Sequence, residues 1–275
     1  LLHAPIPQTQ DKGMTPRALT IAGSDPGGGA GLQADLKTFT AFKVYGMSAV
    51  TAVTVQNTLG VRGVLAVPPL LVAQQIDAVL EDIGAHAVKT GMLCSSGVIK
   101  AVAARLKAHK VRDLVVDPVM YAKSGHALLN PAAAGALIKE LLPLALIVTP
   151  NAPEAERLSG VEVRNLAGAK KAARAIRAMG PAFVLVRGGH LGGAVGEVLR
   201  YDGASFRVVR SPRVRPKEAH GTGCTLSAAI ASGLALGLPP RAAIAEAVEY
   251  VAGAIRHAFS LGAGHGPLNH FWRAE

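Results

Sequence analysis

Residues 18–36 read ALTIAGSDPGGGAGLQADL. An apolar run, residues 18–22, stops at Gly23. Ser24-Asp25 and the glycine stretch 27–31 come next. From Leu32 the apolar residues return at helical spacing, as Leu32, Leu36 and Phe39. A strand, a glycine loop and a helix in that order make the first half of a βα unit. The same alternation repeats outward. Strands are expected at 47–55, 64–67, 87–89, 114–116, 146–148 and 183–186. Helices are expected at 32–42, 69–83 with Pro69 in its first turn, 98–108, 131–142, from Pro153, 166–179, 223–236 and 241–259. Segments 196–201 and 206–209 flank Asp202-Gly203, a hairpin signal. Strands alternating with helices predict a three-layer α/β/α fold around a mostly parallel sheet. No linker, composition shift or repeat divides residues 18–275, which read as one domain. Residues 1–17 lack an apolar signal core and read as a loose leader, with Met14 offering a start.

Composition narrows the function classes. The chain has 275 residues, 50% hydrophobic and 17% charged, which excludes a disordered polymer. Two cysteines, Cys94 and Cys224, exclude a disulfide scaffold and suit a reducing, cytoplasmic setting. The uncharged stretch 219–240 is long enough to raise a membrane span, but its glycines, serines and closing Pro239-Pro240 read as a buried core helix entered by a glycine loop. The net charge is +11. The charges are dispersed, and the densest run (Arg207, Arg210, Arg213, Arg215, Lys217) has one aromatic neighbour, Phe206. That pattern points to a solvated basic surface rather than to nucleic acid.

In open α/β sheets ligands sit beyond the carboxyl ends of the strands. Polar residues with chemistry should therefore follow strands directly, and six groups do: Ser24-Asp25, Gln56-Asn57, Lys89-Thr90-Gly91-Met92, Asp117, Thr149-Pro150-Asn151 and Arg187-Gly188-Gly189-His190. Within the first glycine loop, residues 29–34 match the loose dinucleotide pattern G-x-G-x-x-A. No Asp or Glu occurs from Leu36 through Ile76, where the ribose-binding acid belongs, so a dehydrogenase is rejected. No Gly-Lys-Ser/Thr exists, so an ATP-using enzyme here is not a P-loop protein. Zinc-type Cys/His spacing, HExxH and G-x-S-x-G are also missing. The default for the dispersed His190, His220, His265 and His270 is a turn or cap role.

The second glycine loop, His220-Gly221-Thr222-Gly223-Cys224-Thr225, opens into an apolar small-residue helix. Backbone N–H groups of such a turn, aided by the helix dipole, form an anion hole. Cys224 falls in the first turn, where a lowered thiol pKa is expected; the competing reading is an inert buried cysteine. Cys94 has no such setting and reads as structural. Asn151 and Glu154 suit phosphate-bound Mg²⁺ together with Asp117, and equally suit a helix capping box. Lys123 offers a mobile cation for phosphate or a solvated loop lysine.

Taken together, TIAGSDPGGGAGLQADLKTF, TAVTVQNTLGV, VKTGML, DPVMYAKSG, TPNAPEAE, HGTGCTLS and GHGPLNHF resemble the hydroxymethylpyrimidine/phosphomethylpyrimidine kinases of the ribokinase-like superfamily, from about residue 18 to 271. The resemblance implies ATP- and Mg²⁺-dependent phosphorylation of 4-amino-5-hydroxymethyl-2-methylpyrimidine and then of its monophosphate, by a homodimer. It implies Cys224 as the base, and Gly221, Thr222 and Gly223 as the anion hole. Gln56 would read the pyrimidine, in a pocket lined by Gly23, Ala30, Asp35 and Met92. Asn151, Lys123 and Arg187 would hold phosphate, and Asp117 and Glu154 the metal. The sequence departs from the family pattern in two places: Arg187 replaces a lysine, and Glu218-Ala219 replaces Asn-Thr. A Gln amide can accept from a 4-amino group and donate to the adjacent ring nitrogen, as it does with adenine. A pyridoxal-type kinase and a non-catalytic pyrimidine-binding regulator are the competing readings.

Overall fold

Alternation with period two decides how the central strands are used. Leu19 and Ile21, Val88, Leu114 and Val116, Val148, Val184 and Val186 belong to one buried cluster. Their neighbours Ala18, Ala87, Val115, Ile147 and Leu185 belong to another. A strand apolar on both sides needs cover on both faces, and so the parallel sheet lies between two helical layers.

The computed structural model describes residues 14–121, 128–129, 133–188, 197–210 and 220–274. The strands are β1 (Arg17–Ser24), β2 (Tyr45–Asn57), β3 (Gly60–Ala66), β4 (Ala87–Thr90), β5 (Leu114–Val116), β6 (Ile147–Val148), β7 (Phe183–Arg187), β8 (Glu197–Tyr201) and β9 (Phe206–Arg210). They form one sheet in the order β3-β2-β1-β4-β5-β6-β7-β8-β9. The run from β2 to β7 is parallel, while β3, β8 and β9 add antiparallel at the two edges.

The helices are α1 (Gly31–Ala41), α2 (Pro69–Asp82), α3 (Ser96–Ala108), α4 (Ala133–Ala136), α5 (Ala152–Ser159), α6 (Leu166–Arg177), α7 (Thr222–Ala235) and α8 (Pro240–Arg256). Helices α2, α3, α5 and α6 cover the first face, through Ile76, Leu106, Leu158 and Ile176 among others. Helices α1, α7 and α8 cover the second, through Phe39, Ile230, Ile244 and Tyr250. The expected three-layer α/β/α class is what the chain adopts.

One expected helix differs. Residues 130–132 lie outside the described set. Beyond them the chain forms the short α4, a π turn at Leu137–Leu141 and a 3₁₀ turn at Leu142–Leu144. Pro143 cannot donate a backbone hydrogen bond, which explains why the segment does not close as regular α-helix. From His220 to Pro240 the chain is a loop and a buried core helix, as expected. Every residue of α7 from Thr225 to Ala235 is buried, and among the described residues no helix is long and apolar enough to cross a membrane.

Strand β1 pairs with β2 on one side and β4 on the other, so the chain changes direction there. That switch point leaves a crevice at the carboxyl end of β1. Two glycines keep the crevice walls close. Gly31 has φ +58°, and a Cβ on it would lie 2.5 Å from the Gly23 carbonyl oxygen. Gly221 has φ +87°, and a Cβ there would lie 1.8 Å from the Gly29 carbonyl oxygen. The two glycine loops, far apart in sequence, pack backbone against backbone, and no side chain fits between them.

Candidate active site

A cavity of about 730 Å³ occupies this crevice. The end of β1 and the first glycine loop contribute Gly23 and Ala30, β2 contributes Gln56, and the β4 loop contributes Met92. Asp117 comes from the end of β5, Asn151 and Glu154 from the β6–α5 junction and Arg187 from the end of β7. Gly221, Thr222, Gly223 and Cys224 close it from the start of α7. Of the expected site residues, Asp35 alone is described yet off the cavity wall. It is fully buried, accepting from Lys89 Nζ at 2.7 Å and from the Thr20 hydroxyl at 2.6 Å. Asp35 therefore supports the floor and does not line the pocket. Lys123, Gly189, His190, Glu218 and Ala219 lie outside the described residues.

Helix α7 begins at Gly221 with no side-chain cap. The first-turn N–H groups have no partner within the helix, so Thr222, Gly223 and Cys224 present a preformed anion-binding end to the cavity. Cys224 itself departs from expectation. Burial pushes its thiol up to about 11, against the pull of Lys89 and a hydrogen bond from the Gly31 backbone, and the Asp35 and Asp117 carboxylates push the same way as burial. In the free protein the thiol is protonated at neutral pH. The helix terminus does not outweigh desolvation and two nearby carboxylates. Cys94 is likewise raised to about 11 by burial and sits away from the cavity wall, in keeping with a structural role.

The β5–β6–β7 edge is built around one arginine. Arg187 Nε donates to the Thr149 carbonyl at 2.7 Å. Its Nη2 donates to Asp117 Oδ1 at 3.0 Å and to Glu154 Oε2 at 3.3 Å. Asn151 and Glu154 also form a full capping box: the Asn151 side chain accepts the Glu154 N–H at 2.9 Å, and Glu154 Oε2 accepts the Asn151 N–H at 2.8 Å. The capping reading of these two residues is what the structure shows, and the cap holds Glu154 at the cavity wall. Burial raises the Glu154 pKa; Arg187 opposes that rise and Asp117 adds to it.

At the opposite end, Gln56 Nε2 lies 3.1 Å from His220 Nε2, which is 3.3 Å from Asp25 Oδ2. Asp25 also accepts the N–H groups of Gly27 and Ala30, each at 2.8 Å. Burial works against its ionisation, but the His220 bond and the Ala30 and Gly27 amides outweigh it and hold the carboxyl below its usual range. Set between Asp25 and Gln56, His220 links the first glycine loop, the second and β2. Gln56 lies on the cavity wall, where its amide offers an acceptor and a donor to a ligand edge.

The sequence marks two further residues of the site without giving them a role in it: Lys89 as one polar residue at a strand end, and His220 as the first residue of the second glycine loop. Lys89 is fully buried on the cavity floor, and Asp35 keeps it protonated against the desolvation that opposes its charge. A lone lysine inside the apolar strand Ala87–Thr90 is the available signal. His220 reads as a turn residue in the sequence, and only the folded loops reveal its partners.

Known proteins share this architecture. The family model described as phosphomethylpyrimidine kinase matches residues 25–269. The bifunctional thiamine biosynthesis protein ThiED of Geobacter sulfurreducens is 51% identical over 94% of this chain, which spans 52% of that protein's length. The hydroxymethylpyrimidine/phosphomethylpyrimidine kinase of Streptomyces coelicolor is 47% identical over 94% of this chain and 95% of its own. A solved structure of pyridoxal kinase from Staphylococcus aureus in complex with ADP superposes with a TM-score of 0.88 at 38% identity, covering 95% of each chain.

Proposed function

The chain belongs to the phosphomethylpyrimidine kinase family, and on that premise we propose that it transfers phosphate from ATP to 4-amino-5-hydroxymethyl-2-methylpyrimidine and then to the resulting monophosphate. The observation that carries the reading is the two-ended cavity. One end offers the amide of Gln56, and the other the uncapped start of α7 with Cys224 beside it. The 38% identical neighbour solved with ADP supports a nucleotide as donor, and the free N–H groups at the uncapped start of α7 support its phosphate tail at that end.

In this reading the Gln56 oxygen accepts from the 4-amino group and an amide N–H donates to the ring nitrogen. Gly23, Ala30 and Met92 pack around the ring; a Cβ on Gly23 would lie 3.0 Å from the Met92 sulfur, so glycine there leaves room for it. The 5-hydroxymethyl group then faces Cys224, whose thiolate form accepts the hydroxyl proton as the oxygen attacks the γ-phosphorus and ADP leaves. Lys89 beneath the site favours that thiolate over the neutral thiol that predominates at pH 7. The N–H groups of residues 222–224 and the Arg187 guanidinium hold charge on the transferring phosphoryl group, and Asn151 and Lys123 are assigned to the nucleotide phosphates. The second step differs in one respect. Its acceptor is a phosphate oxygen already deprotonated at neutral pH, so it needs the anion hole and Arg187 but no base.

Mg²⁺ supplies charge neutralisation of the nucleotide phosphates when present. Asp117 and Glu154 were the expected ligands, but as held here they do not fit a directly coordinated ion, because the Arg187 guanidinium stands between them. The proposed assembly is a homodimer, formed through the exposed hairpin of β2 and β3. Two free thiols suit the cytoplasm, and neither nucleic acid nor membrane is assigned as a partner.

A coupled assay of ADP release tests the reading, with the hydroxymethylpyrimidine, its monophosphate and pyridoxal supplied in turn. Turnover of both pyrimidines with kcat/KM above that for pyridoxal is expected. Preference for pyridoxal would move the chain to the vitamer kinases, and binding without turnover to a regulator.

A further inference from the structure

Two buried carboxylates at the mouth of an anion hole ordinarily invite a divalent cation. Here a side chain of the protein already sits between them. A single nitrogen, Arg187 Nη2, bridges Asp117 Oδ1 and Glu154 Oε2 at 3.0 and 3.3 Å, and the three side chains are 18%, 1% and 4% exposed. The guanidinium is fixed from behind, since its Nε donates to the Thr149 carbonyl and the Arg187 backbone N–H donates to the Pro150 carbonyl at 2.8 Å. Part of the remaining carboxylate capacity is taken. Glu154 Oε2 also accepts the Asn151 N–H, and the Ser227 hydroxyl, shared with the Gly223 and Cys224 carbonyls at 3.1 Å, stands 3.4 Å from Asp117 Oδ2. The other end of the guanidinium presses on α7: a Cβ on Gly223 would lie 2.1 Å from Nη1. Arg187 thus touches both carboxylates and the second residue of the helix whose free N–H groups face the cavity.

We propose that Arg187 is the resident cation of this site, filling between Asp117 and Glu154 the place of a divalent ion, so that the free protein holds no metal on these carboxylates and a divalent ion enters only on the phosphates of its nucleotide. An arginine is suited to the role because it stays charged at any working pH and its planar fork can serve two carboxylates and a phosphate at once. A divalent ion placed on the same oxygens would face both the guanidinium charge and oxygens already occupied by hydrogen bonds.

The test is Mn²⁺ binding monitored by electron paramagnetic resonance, with and without a non-hydrolysable ATP analogue. Asp77, Glu81 and His109 form a separate surface group able to hold an ion. The titrations are therefore run in a Glu81→Gln, His109→Ala background. The unliganded background protein should bind no Mn²⁺ up to about 1 mM, and the nucleotide complex should bind one ion. Arg187→Gln, which keeps a donor of similar reach, should create a nucleotide-independent Mn²⁺ site at least about tenfold tighter, lost again on adding Asp117→Asn. A second measurement needs no arginine variant: Asp117→Asn alone should change Mn²⁺ affinity of the nucleotide complex by less than about threefold.

A nucleotide-independent site in the background protein that Asp117→Asn removes would overturn the proposal. So would an Arg187→Gln protein, folded by its melting curve, that gains no Mn²⁺. So too would a loss of tenfold or more from Asp117→Asn in the nucleotide complex. The nucleotide arms rest on the ATP reading, whereas the free-protein titrations do not. Failure of the analogue to bind would count against that reading, and the free-protein arm would still decide the role of Arg187.

Discussion

At the residue scale Cys224 separates the two phosphoryl transfers. Only the first acceptor carries a proton to be removed. Cys224→Ala should therefore lower kcat for the hydroxymethyl substrate by about 10²–10⁴-fold and leave the second step within about tenfold. Steady-state assays with each acceptor check this, and equal losses in both steps would remove the base assignment. The pH dependence comes from the thiol raised to about 11 in the free protein. Raising pH increases the thiolate fraction, so kcat/KM for the first step should climb steadily from pH 7 to about 10 with no plateau. A plateau below pH 8 would mean that the reacting group is not this thiol.

Lys89 carries a prediction about stability. It is a buried cation paired with a buried carboxylate, so removing one partner strands the other. Lys89→Met should cost about 3–5 kcal/mol of unfolding free energy by denaturant titration, and adding Asp35→Leu should restore much of it. A loss under 1 kcal/mol for the single variant would show that Asp35 finds another partner or a proton at little cost.

What the sequence revealed at this scale divides along a physical line. Gln56, Cys224, Asn151, Glu154, Asp117 and Arg187 were legible because each directly follows a strand or opens a helix, and the parallel sheet brings such positions to one edge. The protonation state of Cys224, the displacement of Asp35 beneath the floor and the partners of His220 were not legible. Each depends on a neighbour from a distant element, and no local pattern encodes that distance.

At the element scale nearly every strand and helix fell where hydrophobic period placed it, because strands apolar on both sides and helices with capped or proline-led starts leave few alternatives. The exception after residue 130 arose where Pro143 interrupts hydrogen bonding in a segment whose apolar pattern still looks helical. The hairpin of β2 and β3 shows a different limit. Short apolar, β-branched runs marked its strands, but the exposed apolar surface shows only in the folded edge: Leu65 on β3 is 73% exposed beside Val53 and Val55 on β2, and Leu70, at the start of α2, is 71% exposed. Among the described residues strand β3 pairs only with β2, which leaves its outer ladder unpaired there. Exposed apolar edge strands tend to associate, and a second copy covers one most simply through a two-fold axis. Sedimentation at micromolar protein should show a dimer, and Leu65→Lys with Leu70→Lys should shift it to monomer with the fold intact. An unchanged sedimentation coefficient would exclude this face as the contact.

At the scale of the whole molecule, one cavity has two chemically distinct ends. Gln56 stands on β2 and Cys224 on α7, and the packing of Gly221 against Gly29 brings their loops together. The pyrimidine edge and the phosphate tail should accordingly be separable by mutation. Gln56→Leu keeps similar volume and removes the amide. It leaves the ligand's donor and acceptor buried and unpaired, which costs about 1–3 kcal/mol per group. Paired calorimetric titrations of this variant, one with the hydroxymethylpyrimidine and one with the ATP analogue, measure the separation directly. Pyrimidine affinity should fall by about tenfold to several hundredfold, with nucleotide affinity unchanged within a few-fold. Equal weakening of both ligands, or weakening of the nucleotide alone, would contradict it.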